Sequence, residues 1–206
     1  MHPNPAFRQD TEAKNLRFAA ERGFGTLSIN GDAGPLMAHI PFHLSQDGRF
    51  ADIHLARSNA IARANLPCVA LLAVVGPDCY ISPDWYGVED QVPTWNYVAV
   101  HLRGRLEPLL PTTLEPMVNA LSDSFEARLL PKSIWRSTKM AEGTMERMMR
   151  MIVPFRLTID TVEGTWKLNQ NKTAAARAGV IGALEAQNGQ SPAAELARLM
   201  RDVPDQ

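Results

Sequence analysis

The chain has 206 residues, 45% of them hydrophobic and 21% charged, with a formal net charge of −1. That length suits one domain with a sizeable core, and the balanced charge gives little general attraction for nucleic-acid phosphates. No apolar run approaches the ~20 residues needed to span a bilayer, the N-terminal MHPNPAFRQDTEAK has no signal-peptide pattern, and Cys68 and Cys79 are the only cysteines, which together read as a cytoplasmic protein with reduced thiols and no membrane partner.

The first element is a helix over about 10–22, with Thr11 as cap, Leu16, Ala19 and Ala20 on one face, and Gly23 as its stop. FGTLSIN (24–30) alternates, NGDAG (30–34) is a hairpin turn, and PLMAHIPFHL (35–44) returns as the partner strand. A turn at QDG (46–48) leads into a third strand, RFADIHLA (49–56). RSNAIARANLP (57–67) reads as a short helix ended by Pro67, and CVALLAVVG (68–76) as a central strand covered on both faces.

A fifth strand is predicted over 95–107, where Val98, Val100 and Leu102 alternate with Ala99, His101 and Arg103. An amphipathic helix follows over 112–129, carrying Leu114, Met117, Leu121 and Phe125, and a second over about 142–151. VPFRLTIDTVEG (153–164) is the sixth strand, and the tail, about 173–202, is helical with a break at Gly189 and Ser191-Pro192. Six strands joined mostly by hairpins bury their edges best by closing into a small barrel. The fold class is therefore α+β, mainly β: one domain spanning 1–206, a six-stranded antiparallel barrel with peripheral helices and a helical C-terminal extension from about 173.

His39 and His43 share a face of a strand but stand roughly 13 Å apart at ~3.3 Å per residue. Pro41 forbids the helix that would bring them together, so no metal site is predicted. HLARSN (54–59) ends a strand at an expected helix start; a guanidinium from Arg57, a hydroxyl from Ser58 and helix-start N–H groups there would suit an anion. In GTWKLNQNK (164–172), Trp166 and Leu168 anchor one side while the amides and lysines form a polar rim. The basic charges of 127–139, Arg147 and Arg150 are offset by Glu126, Glu142 and Glu146 and read as a solvated face. No GxSxG, P-loop or GxGxxG motif is present.

HIPFHL, HLARSN, GPDCYISPDWY, VPTWNYVAVHLRGRL and GTWKLNQNK, in that order, resemble the PaiB family of FMN-binding negative transcriptional regulators over nearly the whole chain. The chain departs from the family pattern at Ser58, Asp84 and Asn169, where Ala and the Ser residues of SPSWY and KLSQNK are usual. The resemblance implies a split β-barrel like that of pyridoxamine-phosphate oxidases and flavin reductases, a homodimer, and flavin at the subunit interface. It implies FMN contacts from His54, Arg57, Ser58 and Asn59, from Thr94, Trp95 and Asn96, and from Lys167, Gln170, Asn171 and Lys172. Heme is the alternative cofactor, since related split barrels bind it.

Two functions follow: a flavin-binding regulator, or an FMN-dependent oxidoreductase acting on a small molecule. Direct DNA binding is weakly supported, because no recognition helix carries clustered basic residues. Catalytic residues are not assigned: His101 and His39 are the only histidines considered as acid or base, and each also suits a structural role.

Overall fold

The computed structural model describes residues 1–187 and 192–204. The elements are α1 (Glu12–Arg22), β1 (Phe24–Gly31), β2 (Gly34–Leu44), β3 (Phe50–Ala56), β4 (Cys68–Ile81), β5 (Thr94–Pro108), α2 (Leu114–Glu126), α3 (Thr144–Met149), β6 (Ile152–Lys167), α4 (Ala174–Glu185) and α5 (Pro192–Arg201). The break expected at Gly189 and Ser191 lies outside the described residues. No helix among the described residues is long and apolar enough to cross a membrane.

The six strands hydrogen-bond in the order β1-β2-β3-β6-β5-β4 and close into a barrel. The hairpin between β1 and β2 turns on Asp32 and Ala33, with Gly31 opposite Gly34. β1 also pairs antiparallel with β4, from Thr26 opposite Ala73 to Ile29 opposite Ala70. β3 pairs antiparallel with β6, from Phe50 opposite Thr158 to Ala56 opposite Ile152. The period-two pattern holds in three dimensions: Leu27 and Ile29, Ile40 and Phe42, Ile53 and Leu55, and Leu72 and Val74 are all buried.

The chain divides into two compact units. The first comprises Met1–Asn15, Val75–Val100 and Glu163–Gln206; the second comprises Leu16–Val74 and His101–Val162. In the first unit α4 packs on α5 and on the 3-10 turn Pro83–Tyr86, burying Val180, Leu184, Leu196 and Met200. In the second, α2 packs on β2 and β3 through Leu114 and Met117. There too, Asp52 and Arg156 stand directly opposite on β3 and β6 and make two hydrogen bonds, 2.7 and 3.0 Å. The guanidinium lies 3.7 Å from the Phe50 ring centroid, so one arginine clamps two strands by charge and by stacking.

Four sequence expectations change, among them the coverage of β4 on both faces, since Val69 and Val75 are 68% and 52% exposed. Residues 57–67 hold no α-helix, only a 3-10 turn at Ile61–Arg63. The Asn59 side chain accepts from the Ile61 N–H at 2.9 Å, a local bond that competes with helix propagation, and Pro67 closes the segment. β4 continues through Gly76-Pro77 to Ile81, and β6 continues through Gly164 to Lys167. Apolar alternation in 77–81 and 164–167 is interrupted by Gly, Pro and Asp, so the pattern understated both lengths.

Gly104 on β5 explains how closely β6 can approach. A Cβ built there would stand 1.8 Å from the Thr158 carbonyl oxygen, so Gly104→Ala must displace backbone and not merely a flexible side chain. A loss of about 3 kcal/mol or more is expected, or roughly 6–12 °C in melting temperature for a chain of this size. Thermal unfolding followed by circular dichroism checks it; a midpoint unchanged to within about 2 °C would mean that β5 and β6 are not this close.

Candidate functional site

In the second unit, the HLARSN segment runs off the end of β3 into a tight turn. His54 is half-buried on β3 opposite Pro154, and burial pushes its pKa below the ordinary histidine value, so the imidazole is neutral near pH 7. Arg57 is exposed; its Nε donates to the Arg150 carbonyl at 3.1 Å and its Nη2 to the Ile152 carbonyl at 3.4 Å. Those two bonds fix the guanidinium plane and leave three of its five N–H groups for a ligand. Ser58 is exposed beside it, and Asn59 is held by its bond to Ile61. Because no α-helix begins here, an anion at this place would rely on the guanidinium and hydroxyl, without a helix dipole. Arg57 also borders a cavity of about 690 Å³ whose wall includes Asn65, Leu109, Arg150 and Phe155. That volume lies in the range of roughly 300–1,000 Å³ usual for small-molecule pockets. Glu115 and Glu146 on the same wall offset the two arginines.

The remaining predicted residues belong to the first unit. Trp95 is 54% exposed, with Tyr80 edge-on at 6.4 Å between centroids. Asn96, its neighbour on the opposite face of β5, is fully buried: its Nδ2 donates to the Met200 sulfur at 3.8 Å and its Oδ1 has no partner. Thr94 accepts from the Lys167 ammonium at 2.5 Å.

The GTWKLNQNK segment is more ordered than a solvated loop. Trp166 and Leu168 are each 3% exposed, as expected of the anchoring side. The Trp166 indole donates to Asn15 Oδ1 at 2.8 Å, and the Lys14 ammonium sits 4.2 Å from the ring centroid. Gly164 makes room for that amide, since a Cβ there would stand 2.1 Å from Asn15 Oδ1. Gln170 folds back on its own loop, accepting from Leu168 N at 2.7 Å and donating to the Trp166 carbonyl at 2.5 Å. Asn171 is exposed, whereas Lys172 reaches Gln91 Oε1 at 2.6 Å. The expected rim is therefore only partly free, with Gln170 serving as internal scaffold.

Three polar groups of this unit were not assigned to a site by sequence reasoning. Asn169 adopts φ +59° and is 2% exposed; its Oδ1 accepts from the Tyr86 hydroxyl at 3.2 Å and its Nδ2 has no partner. Asparagine tolerates left-handed backbone better than most residues, which is the one local signal that Asn169 differs from its neighbours. Tyr86 and Gln91 lie some eighty positions from their partners Asn169 and Lys172, and only the fold joins them.

His39 bonds the Thr26 hydroxyl through Nδ1 at 3.0 Å. Among the described residues no group of three or more His, Cys, Asp or Glu is placed to hold a metal. Both cysteines are free and half-buried, with burial raising their pKa values. Lys132 pairs with Glu126 and Arg136 with Asp123, so the basic stretch is partly neutralised in place.

Residues 1–161 match the family described as "Putative FMN-binding domain". The chain is also 30% identical over 203 residues, 96% of each chain, to the protease synthase and sporulation protein PAI 2 of Bacillus subtilis strain 168. The chain belongs to the FMN-binding PaiB family. Residues 162–206, with the GTWKLNQNK segment, lie beyond the matched range of the family model. Among solved structures, the chain is similar to the FAD and heme binding protein of Mycobacterium smegmatis, at TM-score 0.56 and 15% identity, covering 78% of this chain and 73% of that one. It is also similar to the flavocytochrome Anf3 of Azotobacter vinelandii, at TM-score 0.52 and 14% identity, covering 77% and 68%. Identities this low establish the fold: a split barrel of the flavin-binding kind, mainly β with helices.

Proposed function

We propose that the protein is a homodimeric FMN-binding regulator of the PaiB family that holds the flavin phosphate at Arg57 and at Ser58, where this chain departs from the family pattern. The observation that carries the reading is a family match over residues 1–161 that includes Arg57, a guanidinium braced by two carbonyls at the rim of a 690 Å³ cavity. Bound FMN would supply reversible electron transfer, with the protein contributing position and electrostatics. A phosphate close to two negative charges suits a guanidinium whose orientation is already fixed, because little side-chain freedom is lost on binding. The neutral imidazole of His54 adds a polar group without adding net charge.

Support for the dimer comes from the surface of the first unit. Trp95, Tyr80, Val75, Val88 and Val92 are between 46% and 73% exposed, and Tyr80 stands edge-on to Trp95. Aromatic residues of this kind anchor interface centres.

Arg57→Ala is expected to weaken FMN about 10- to 150-fold, since a charge-assisted hydrogen bond contributes ~1.5–3 kcal/mol net and about 1.4 kcal/mol is tenfold. Riboflavin, which lacks the phosphate, should change little, and fluorescence titration of both ligands reads the difference. Equal losses for both would assign Arg57 to the fold alone.

Sedimentation velocity should show a dimer that Trp95→Ala shifts toward monomer, with FMN affinity falling alongside. A wild-type chain that stays monomeric at every concentration would remove the dimer from this reading.

A further inference from the structure

Within the first unit the Lys167–Lys172 segment encloses one side of a cavity of about 220 Å³. Its polar wall includes Thr94, Lys167, Asn171 and Lys172, with His2 and Asn4 beside them, and no carboxylate lines it. Among the described residues, neither lysine forms an ion pair; Lys167 bonds only the neutral Thr94 hydroxyl and Lys172 only the Gln91 amide. Each ammonium group also lies over a ring, Lys167 5.9 Å from the Phe7 centroid and Lys172 5.0 Å from that of Tyr86, so neutral groups hold both without a balancing anion. Burial lowers the pKa of Lys167, and the Lys167 charge in turn, after burial, helps lower that of His2 on the same wall.

Asn169 is 98% buried, counting from its 2% exposure, and borders this cavity, and its amide N–H pair lacks a partner. Its Oδ1 is held by the Tyr86 hydroxyl, while its Nδ2 lies buried behind the wall. The wall therefore combines two lysines and the exposed Asn171 without any carboxylate, the complement of an acceptor-rich anion. A volume of 220 Å³ equals about seven waters at ~30 Å³ each, below the roughly 300–1,000 Å³ of pockets for larger ligands. It has room for one oxyanion group.

We propose that this cavity is a binding site for a small oxyanion, a carboxylate or phosphate group, separate from the phosphate of FMN. The proposal deepens the flavin reading, since it rests on Arg57 and Ser58 holding the FMN phosphate. It replaces direct flavin contact as the role of Lys167 and Lys172, and gives the protein a second, anionic small-molecule ligand. Phosphate should bind more tightly than acetate, because a dianion engages both ammonium groups.

The test is calorimetric titration of the FMN-saturated protein with inorganic phosphate, and separately with acetate, at low ionic strength. Saturable binding of one phosphate per chain is expected, weakened about 10- to 150-fold by Lys172→Gln or Lys167→Met, the worth of one charge-assisted hydrogen bond. Lys172→Arg, which keeps the charge, should bind phosphate nearly as the wild type does, and circular dichroism shows whether each variant is folded. Three results would overturn the proposal: no saturable heat, phosphate binding that is present without FMN and vanishes on FMN saturation, or binding unchanged in folded Lys172→Gln. Visible absorption in the same cell reports whether FMN itself is held, so failure of the flavin reading is seen separately.

Discussion

The barrel depends on how close β5 and β6 can come where Gly104 faces the Thr158 carbonyl. A side-chain carbon there would overlap that oxygen at 1.8 Å, so glycine is the condition for this approach. Once β6 is seated, Arg156 reaches Asp52 across to β3 and stacks on Phe50, fixing the register in which alternate residues point inward. A slip of one residue would turn Phe155 and Leu157 outward and put Arg156 inside. Backbone proximity, register and core composition are thus one linked constraint.

The same constraint prepares the ends of β6. At its start, the Ile152 carbonyl accepts from Arg57 and so presets the guanidinium. At its end, Trp166 is buried against Asn15, and Gln170 ties the following loop to the Trp166 carbonyl. Lys167 and Lys172 are held by neutral partners, which position each charge without cancelling it. Structural ion pairs in this protein, such as Arg8 with Glu163 and Arg156 with Asp52, do the opposite. That contrast separates charges that serve the fold from charges available to a ligand.

The strands were legible because Leu27, Ile29, Ile53 and Leu55 repeat at a period of two, and because the Gly31–Gly34 turn gives the first hairpin its register. The helix expected over 57–67 failed because Asn59 bonds the backbone two residues ahead, a local competition that hydrophobic spacing does not reveal. For the candidate sites, Arg57 and the lysines stood out by residue type. Trp166 was foreseen as an anchor, but its bond to Asn15, 151 positions away, was not. Asn169 was noted as a departure from the family pattern, but its pairing with Tyr86 was not foreseen, because that bond spans 83 positions.

The most direct test of the account is the visible absorption spectrum of the purified protein after incubation with excess FMN and removal of the free ligand. The account predicts a flavin spectrum retained at one FMN per chain. A protein that emerges colourless, or that retains heme with its Soret band in preference to flavin, would contradict it.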